Sequence, residues 1–364
     1  MWNPWFCGGI PALANIQTDA LSPDLLLTLP FDQPVASALR LLLFIVIGLE
    51  GAWQYARHHG VHGWGAIIAA AAFVFSGRFM MIFWDGHLPF FGFALAPWVF
   101  YGLERSYERL RWGLVSAVAM TWIFFNGGAV ATPLIATMMG FLMVRDVVER
   151  LVAPTEATPR KSWYRPLVSM AFIGVFTLLL SLPRLVPVFQ TLMAYPRPWD
   201  EPEAYSLSHI ASMLFLPPSS WQYYAAGTSY VGLGVGIAFV LAIVWRARAM
   251  WKLLAAAVIA FDLAMGESGP LQTWKIMHAL PVVHDVRAAF RFTFLVALFL
   301  AIGAGRGIWW AELQLAWVRA RVKTFRLEAD NIARRTSEGL RLASLRDLIY
   351  LFGDGYWNHS SLLA

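Results

Sequence analysis

The sequence predicts an all-α polytopic transmembrane bundle of about nine spans, followed by an amphipathic helix on the cytoplasmic side. Three observations carry that prediction. Of the 364 residues, 59% are hydrophobic and 14% charged, whereas a soluble domain carries about a quarter charged residues. The apolar residues fall in long continuous runs, not in the short alternating segments of a β-barrel. The basic residues also alternate strongly from loop to loop.

The chain opens on "MWNPWFCGGIPALANIQTDALSPDLLLTLP", a loop rich in Trp, Pro, Gly and Asn, with three aspartates by residue 32 and no Lys or Arg. No basic n-region and apolar h-region precede it, so no signal peptide is expected. Spans are then expected near 35–55, 64–83, 88–103, 112–126, 128–144, 166–192, 229–245, 251–265 and 292–311. A membrane helix needs about 20 apolar residues, so the third, fourth, fifth and eighth are short and suit tilted or re-entrant segments. The fourth and fifth share one apolar run, broken at "FNGGAVATP". Residues 1–311 form the transmembrane domain, with 1–34 an extracytoplasmic loop, and residues 312–364 form the tail.

The loops 56–63, 104–111, 145–165, 246–252 and the tail together hold 20 Lys or Arg, and the intervening set holds 3. This is a strong positive-inside asymmetry. It places the C-terminus in the cytoplasm and the opening loop outside. It also accounts for the net charge of +6 without any nucleic-acid partner. The tail "LQLAWVRARVKTFRLEADNIARRTSEGLRLASLRDLIYLF" reads as a helix with many arginines, suited to the anionic inner leaflet, to another membrane subunit, or to solvent. The single cysteine, Cys7, excludes an internal disulfide framework.

The residues that can carry chemistry gather in the outer loops. The first loop offers Trp2, Asn3, Asn15, Gln17, Asp19 and Asp24, and ordered loops of this kind carry function disproportionately. An interfacial aromatic belt with turn residues has the same composition. The second outer turn, "FWDGHLPFF", sets Asp85 two residues before His87. A carboxylate beside an imidazole can share a proton or bind a cation; Asp-Gly also suits a tight turn for conformational reasons alone. Arg78, Arg184 and Arg291 lie in or beside apolar segments, where charge is costly and usually has a task. Guanidinium groups facing an outer cavity suit a phosphate or pyrophosphate, which they bind bidentately; snorkelling, or pairing with Glu50 or Asp262, is the other reading. The fourth outer loop adds Arg197, Asp200, Glu201, Glu203 and His209 among aromatics. "RHHGVH" has no carboxylate nearby in sequence and is a poor metal site, so no metal ligands are expected. The glycines of "GLGVG" and "GAGRG" suit helix contact.

Taken in order, "WNPWFCGGIPALANIQTDALSPDLLL", "FSGRFMMIFWDGHLPFFGFALAPWVFYGLER", "LLLSLPRLVPVFQTLMAYPRP", "YVGLGVGIAFVLAIV" and "LPVVHDVRAAFRFTFLVALFLAIGAGRG" resemble the YfhO-like family of bacterial membrane proteins, related to the GT-C glycosyltransferases. The resemblance covers most of residues 2–310. It implies a multi-helix fold in the bacterial cytoplasmic membrane, with an outward-facing site. It implies a polyprenyl-phosphate-linked sugar donor and an envelope glycan or lipid acceptor. In such enzymes a carboxylate of the first outer loop is the base, and basic groups, sometimes with a divalent cation, steady the leaving phosphate. The family's first helix and its acidic motif lie upstream of the "WNP" signature at which this chain begins. The resemblance therefore implies that the usual base is absent, leaving Asp85 first, with Asp19 and Asp24, as the outer carboxylates. His87 would partner Asp85; Arg78, Arg291 and Arg184, with Trp2, Asn3, Asn15 and Gln17, would contact substrate. Two further readings stay open: a non-catalytic scaffold subunit of a membrane complex, and a transporter of a lipid-linked intermediate.

Overall fold

The computed structural model describes residues 2–3, 10–11, 13–15, 18–85, 88–128, 131–152, 162–194, 204–216, 229–279 and 289–337. These are helical apart from a two-residue antiparallel pairing of β1 (Trp2–Asn3) with β2 (Ile10–Pro11). The helices are α1 (Gln33–His58), α2 (Gly63–Val74), α3 (Gly77–Asp85), α4 (Ala96–Ser106), α5 (Gly113–Phe125), α6 (Ala131–Val152), α7 (Arg165–Ala194), α8 (Leu207–Phe215), α9 (Leu233–Met265), α10 (Thr273–His278) and α11 (Thr293–Ser337). The chain divides into two compact units, Met1–Trp309 and Trp310–Ala364.

Among the described residues five helices are long and apolar enough to cross a membrane: α1, α6, α7, α9 and the run containing α11. The pair α2 and α3, bent by 48°, makes a sixth if it is one span. This is the architecture of a helical membrane protein. The expected third span becomes a 3-10 segment, Leu88–Leu95, leading into the eleven-residue α4. The expected fourth is the short α5. The expected seventh and eighth run together as α9, interrupted by non-helical backbone at Arg246 (φ −148°, ψ 60°). That break is a real change of direction. A Cβ on Gly303 would meet both Phe239 and Met250, eleven residues that would span about 16 Å on a straight helix. Two segments expected to be loop are helical: α10, and α8, whose N-terminal Ser206 hydroxyl accepts from the His209 amide at 3.2 Å.

Local chemistry sets the boundaries. Asp32 caps α1, its carboxylate accepting from the Val35 amide at 3.3 Å, and Pro34 fits the first turn, where no amide donor is needed. Asn126 ends α5, and the chain reverses before α6. Pro183 and Pro187 stand inside α7, where each removes a backbone donor.

The first part of α11 is the buried centre of the first unit: Phe294, Leu295, Val296, Ala297, Leu298 and Phe299 are each at most 1% exposed. Around it α7 and α9 turn apolar side chains outward, among them Leu178, Leu179, Val240 and Val244. A bilayer solvates such faces. Polar groups inside find partners. The Trp98 indole donates to the Ile47 carbonyl at 3.0 Å and the Ser116 hydroxyl to the Val99 carbonyl at 2.9 Å.

Contacts also bring the basic turns together at one end of the bundle. Glu104, near the end of α4, meets His58 at the end of α1, His59 just after it and Arg145 of α6. Arg145 reaches the Lys252 carbonyl, Arg165 the Tyr107 carbonyl and Arg306 the Ala249 carbonyl. In the second unit the described chain is helical to Ser337, with Leu315, Trp317, Val322 and Phe325 exposed; the expected continuation of the tail helix to 350 lies outside the described residues.

Candidate functional site

The end opposite the basic turns holds two arrangements of charge. The first fastens the opening loop. Arg40, in the second turn of α1 and 3% exposed, donates from Nε to Asp24 Oδ2 and from Nη2 to Asp19 Oδ2, both at 2.5 Å. Asp24 also accepts from the Trp122 indole at 3.1 Å and from the Ser22 hydroxyl. Arg184 adds a second fastening. Its Nη1 donates to the Phe124 and Phe125 carbonyls at 2.7 and 2.6 Å, and its Nη2 donates to the Asn15 carbonyl at 3.0 Å and to the Thr18 carbonyl.

These contacts correct two sequence expectations. Asp19 and Asp24 were candidates for a base at the outer face. Asp24 is 2% exposed and has its oxygens engaged by Arg40, Trp122 and Ser22, and Asp19 is the second acceptor of the same guanidinium. Arg184 was a candidate phosphate contact. It is fully buried and spends its terminal nitrogens on four backbone carbonyls that join the opening loop to the end of α5. Asn15 contributes its carbonyl to that joint.

The second arrangement is a pair of arginines around phenyl rings. Arg78, at the start of α3 and 2% exposed, lies 5.0 Å from the Phe290 ring centre and 5.1 Å from that of Phe294. Arg291, in the 3-10 turn Ala289–Phe292, lies 5.1 Å from the Phe90 ring and 5.9 Å from Phe290. Both guanidinium groups thus attend the Phe290 ring. An aromatic stack fixes the floor. Phe93 and Phe294 stack in parallel at 4.1 Å, and Phe79 meets Phe294 edge-on at 5.0 Å. The Gly77 amide donates to the Tyr230 carbonyl at 2.6 Å, and Ser229 shares a 2.5 Å hydrogen bond with Thr293. Together these anchor the start of α3 and the start of α11 to one segment, so Arg78 and Arg291 are brought side by side. Ring faces attract the cations, but two like charges at close quarters in a poorly polar surrounding repel. An anion placed between them would be stabilised by both.

Asp85 is the last residue of α3, on the same short helix as Arg78, and only its backbone is described; the same holds for Trp2 and Asn3 in β1. His87, Gln17, Arg197, Asp200, Glu201 and Glu203 lie outside the described residues. His209 sits in α8, its ring stacked on Tyr205 at 5.7 Å. Neither carboxylate offered as an alternative partner for the arginines serves them. Asp262 accepts from the Leu271 and Thr273 amides at 2.8 and 3.0 Å, and Glu50 accepts from Gln54 at 2.8 Å.

Sequence reasoning missed a buried polar cluster at the basic end. Glu104 Oε2 lies 3.3 Å from Nε2 of both His58 and His59. Its Oε1 accepts from Tyr55 at 3.1 Å and from Arg145 at 3.2 Å, and Arg145 also pairs with Asp146 at 2.8 Å. Burial alone would raise the Glu104 carboxyl; the imidazoles and Arg145 outweigh it and hold it well below the usual carboxylate range. Burial pushes the His59 imidazole down. No group of three or more His, Cys, Asp or Glu able to hold a metal occurs among the described residues. The cluster joins α1, α4 and α6 electrostatically.

Comparison of the chain with family models, with curated proteins and with solved structures finds no match.

Proposed function

We propose that the chain handles a polyprenyl-phosphate-linked sugar at the outer face of the bacterial cytoplasmic membrane, as a glycosyltransferase-like protein of the GT-C kind. The observation that supports this best is the arginine pair, Arg78 and Arg291, converging on Phe290 at the end away from the basic turns. The pair suits a phosphate: each guanidinium can donate two parallel hydrogen bonds to its oxygens. The surrounding phenyl rings lower the local dielectric and strengthen that attraction. In transfer, the phosphate leaves bearing negative charge, and fixed cations stabilise charge as it develops. Asp85, seven residues after Arg78 on the same helix, is the proposed base toward the acceptor hydroxyl, with His87 as its partner. A divalent cation would be held by Asp85. The family reading rests on the ordered motifs in residues 2–310.

The test is transfer from polyprenyl-phosphate hexose to envelope acceptors in membranes carrying Asp85→Asn. Transfer should fall at least about a hundredfold, the usual size of a general-base contribution, while the protein stays folded. Undiminished transfer would remove Asp85 from the reaction. A second reading, a scaffold subunit that keeps the fold without catalysis, draws on the engagement of Asp19 and Asp24 with Arg40. It predicts no transfer by the native chain and an intact complex in the Asp85→Asn variant.

A further inference from the structure

A second arrangement with an exposed guanidinium lies at the other end of the bundle. Between the end of α1 and the start of α2 there is an open cleft of about 450 Å³, lined by Trp53, Arg57, His62, Gly63, Trp64 and Ile67. That volume falls within the range of small-ligand sites. The turn that builds it depends on Gly60 and Gly63, at φ +74° and +56°, values that glycine adopts without steric cost. The reversal sets Arg57 and His62 on one cleft although a full turn of chain separates them.

The lining is graded in polarity. Arg57 is exposed, and its guanidinium lies 4.8 Å over the Trp53 ring one helical turn earlier. The ring fixes one face of the guanidinium and leaves its edge of N–H donors available. Among the described residues no carboxylate forms an ion pair with Arg57 or His62. His62 has its ring 5.6 Å from Trp309. Away from these two, Ile67 and Trp64 line the cleft, 52% and 67% exposed. Both lie on α2, which together with the bent α3 is long and apolar enough for one span. Indoles at this level are usual at the boundary between headgroups and acyl chains. A cation and an imidazole at one end, indoles at the boundary and an aliphatic wall beyond match an amphipathic anion.

We infer that this cleft is a binding site for an anionic phospholipid of the leaflet on the basic side, with the headgroup phosphate on Arg57 and His62 and the acyl chain along Trp64 and Ile67. The opposing cluster supports the assignment. The neighbouring imidazoles of His58 and His59 are turned inward to Glu104, which leaves Arg57 and His62 as the outward pair of this turn. The inference stands apart from the arginine pair of the proposed function: it uses other residues at the other end of the bundle.

The test is native mass spectrometry of the full chain, released from detergent and titrated with phosphatidylglycerol or phosphatidylcholine of identical acyl chains. The native chain should retain phosphatidylglycerol in preference. Each Lys or Arg near an anionic headgroup contributes about a fivefold preference, so R57Q with H62Q should cut the preference at least about fivefold. Both side chains are exposed, and an unchanged melting temperature would show that the variant folds. W64A should weaken both lipids alike, because it removes the boundary contact and no charge. An unchanged phosphatidylglycerol preference in the double variant overturns the site. So does displacement of the lipid by inorganic phosphate alone, which would mark a pocket for soluble anions.

Discussion

Arg40 and Arg184 show how this molecule answers the cost of burying a charge. Arg40 holds Asp24 and Asp19, and breaking a buried pair leaves uncompensated charge at a cost of about 3–5 kcal/mol. Arg40→Met should therefore lower the stability of the detergent-solubilised protein by about that amount, read as an earlier thermal transition. Asp24→Asn should cost less, since it keeps the hydrogen-bonding shape. Glu104 makes a pH prediction. His59 is pushed below its usual 6.5 and Glu104 below its usual 4.5, so the unfolded chain takes up each proton first as pH falls. Their stabilisation is complete above pH 6.5 and declines below it, first through His59 and then, below 4.5, through Glu104. Melting temperature against pH should show that fall, and E104Q should start lower and lose the more acidic limb. The sequence made Asp24 and Glu104 hard to read because their partners are distant in the chain. Arg40 follows Asp24 by 16 residues, and Arg145 follows Glu104 by 41. An arginine inside the first apolar run was the available signal for the first pair. Arg78 and Arg291 stood out as charges at apolar segments, and their meeting at Phe290 adds the geometry that sequence spacing cannot supply.

At the scale of elements, glycine decides how closely helices approach. A Cβ on Gly305 of α11 would lie 2.4 Å from the Gly65 carbonyl of α2, and one on Gly65 would lie 2.2 Å from the Gly305 carbonyl. No side chain fits there, as expected where small residues let membrane helices pack. Gly305→Val should separate α2 from α11 and cost about 1–3 kcal/mol through overpacking, measured by thermal unfolding in detergent. Gly234→Val, where nothing lies within 4 Å, is the matched control and should be near neutral. The contact reading of "GAGRG" was legible because three glycines at alternate positions in an apolar run serve little else. In "GLGVG" only Gly236 fits that reading, its Cβ position 2.7 Å from the Phe215 ring. Helix ends were legible at Asn126 and Asp32, where side-chain chemistry marks them. The break within α9 was legible as a run of basic residues, although the helix on either side of Arg246 leaves almost no connecting loop. The short α8 was hidden inside a stretch rich in aromatic and turn-forming residues.

For the whole molecule, hydropathy and charge carry most of the architecture. The helical membrane class and the gathering of basic turns at one end follow from composition and alternation. The count does not, since nine spans were expected and among the described residues five helices, or six with the bent pair, are long and apolar enough to cross a membrane. Which helix sits at the centre does not: the run containing α11 is the most buried of the five, at 83% of its apolar window, against 17% for α9, and both read alike in sequence. The same architecture separates the two proposed phosphate sites, Arg78 with Arg291 at one end and Arg57 with His62 at the other. The most direct measurement of the account is the affinity of the full chain for undecaprenyl phosphate in phosphatidylcholine nanodiscs, comparing the native protein with R291Q and with R78K/R291Q. Loss of one charge-assisted phosphate contact should weaken binding about tenfold or more, and the double variant should weaken it further, whereas R57Q should leave the tight binding component unchanged. Equal binding by all of them would contradict the assignment of the arginine pair to a lipid-linked phosphate, and with it the proposed function.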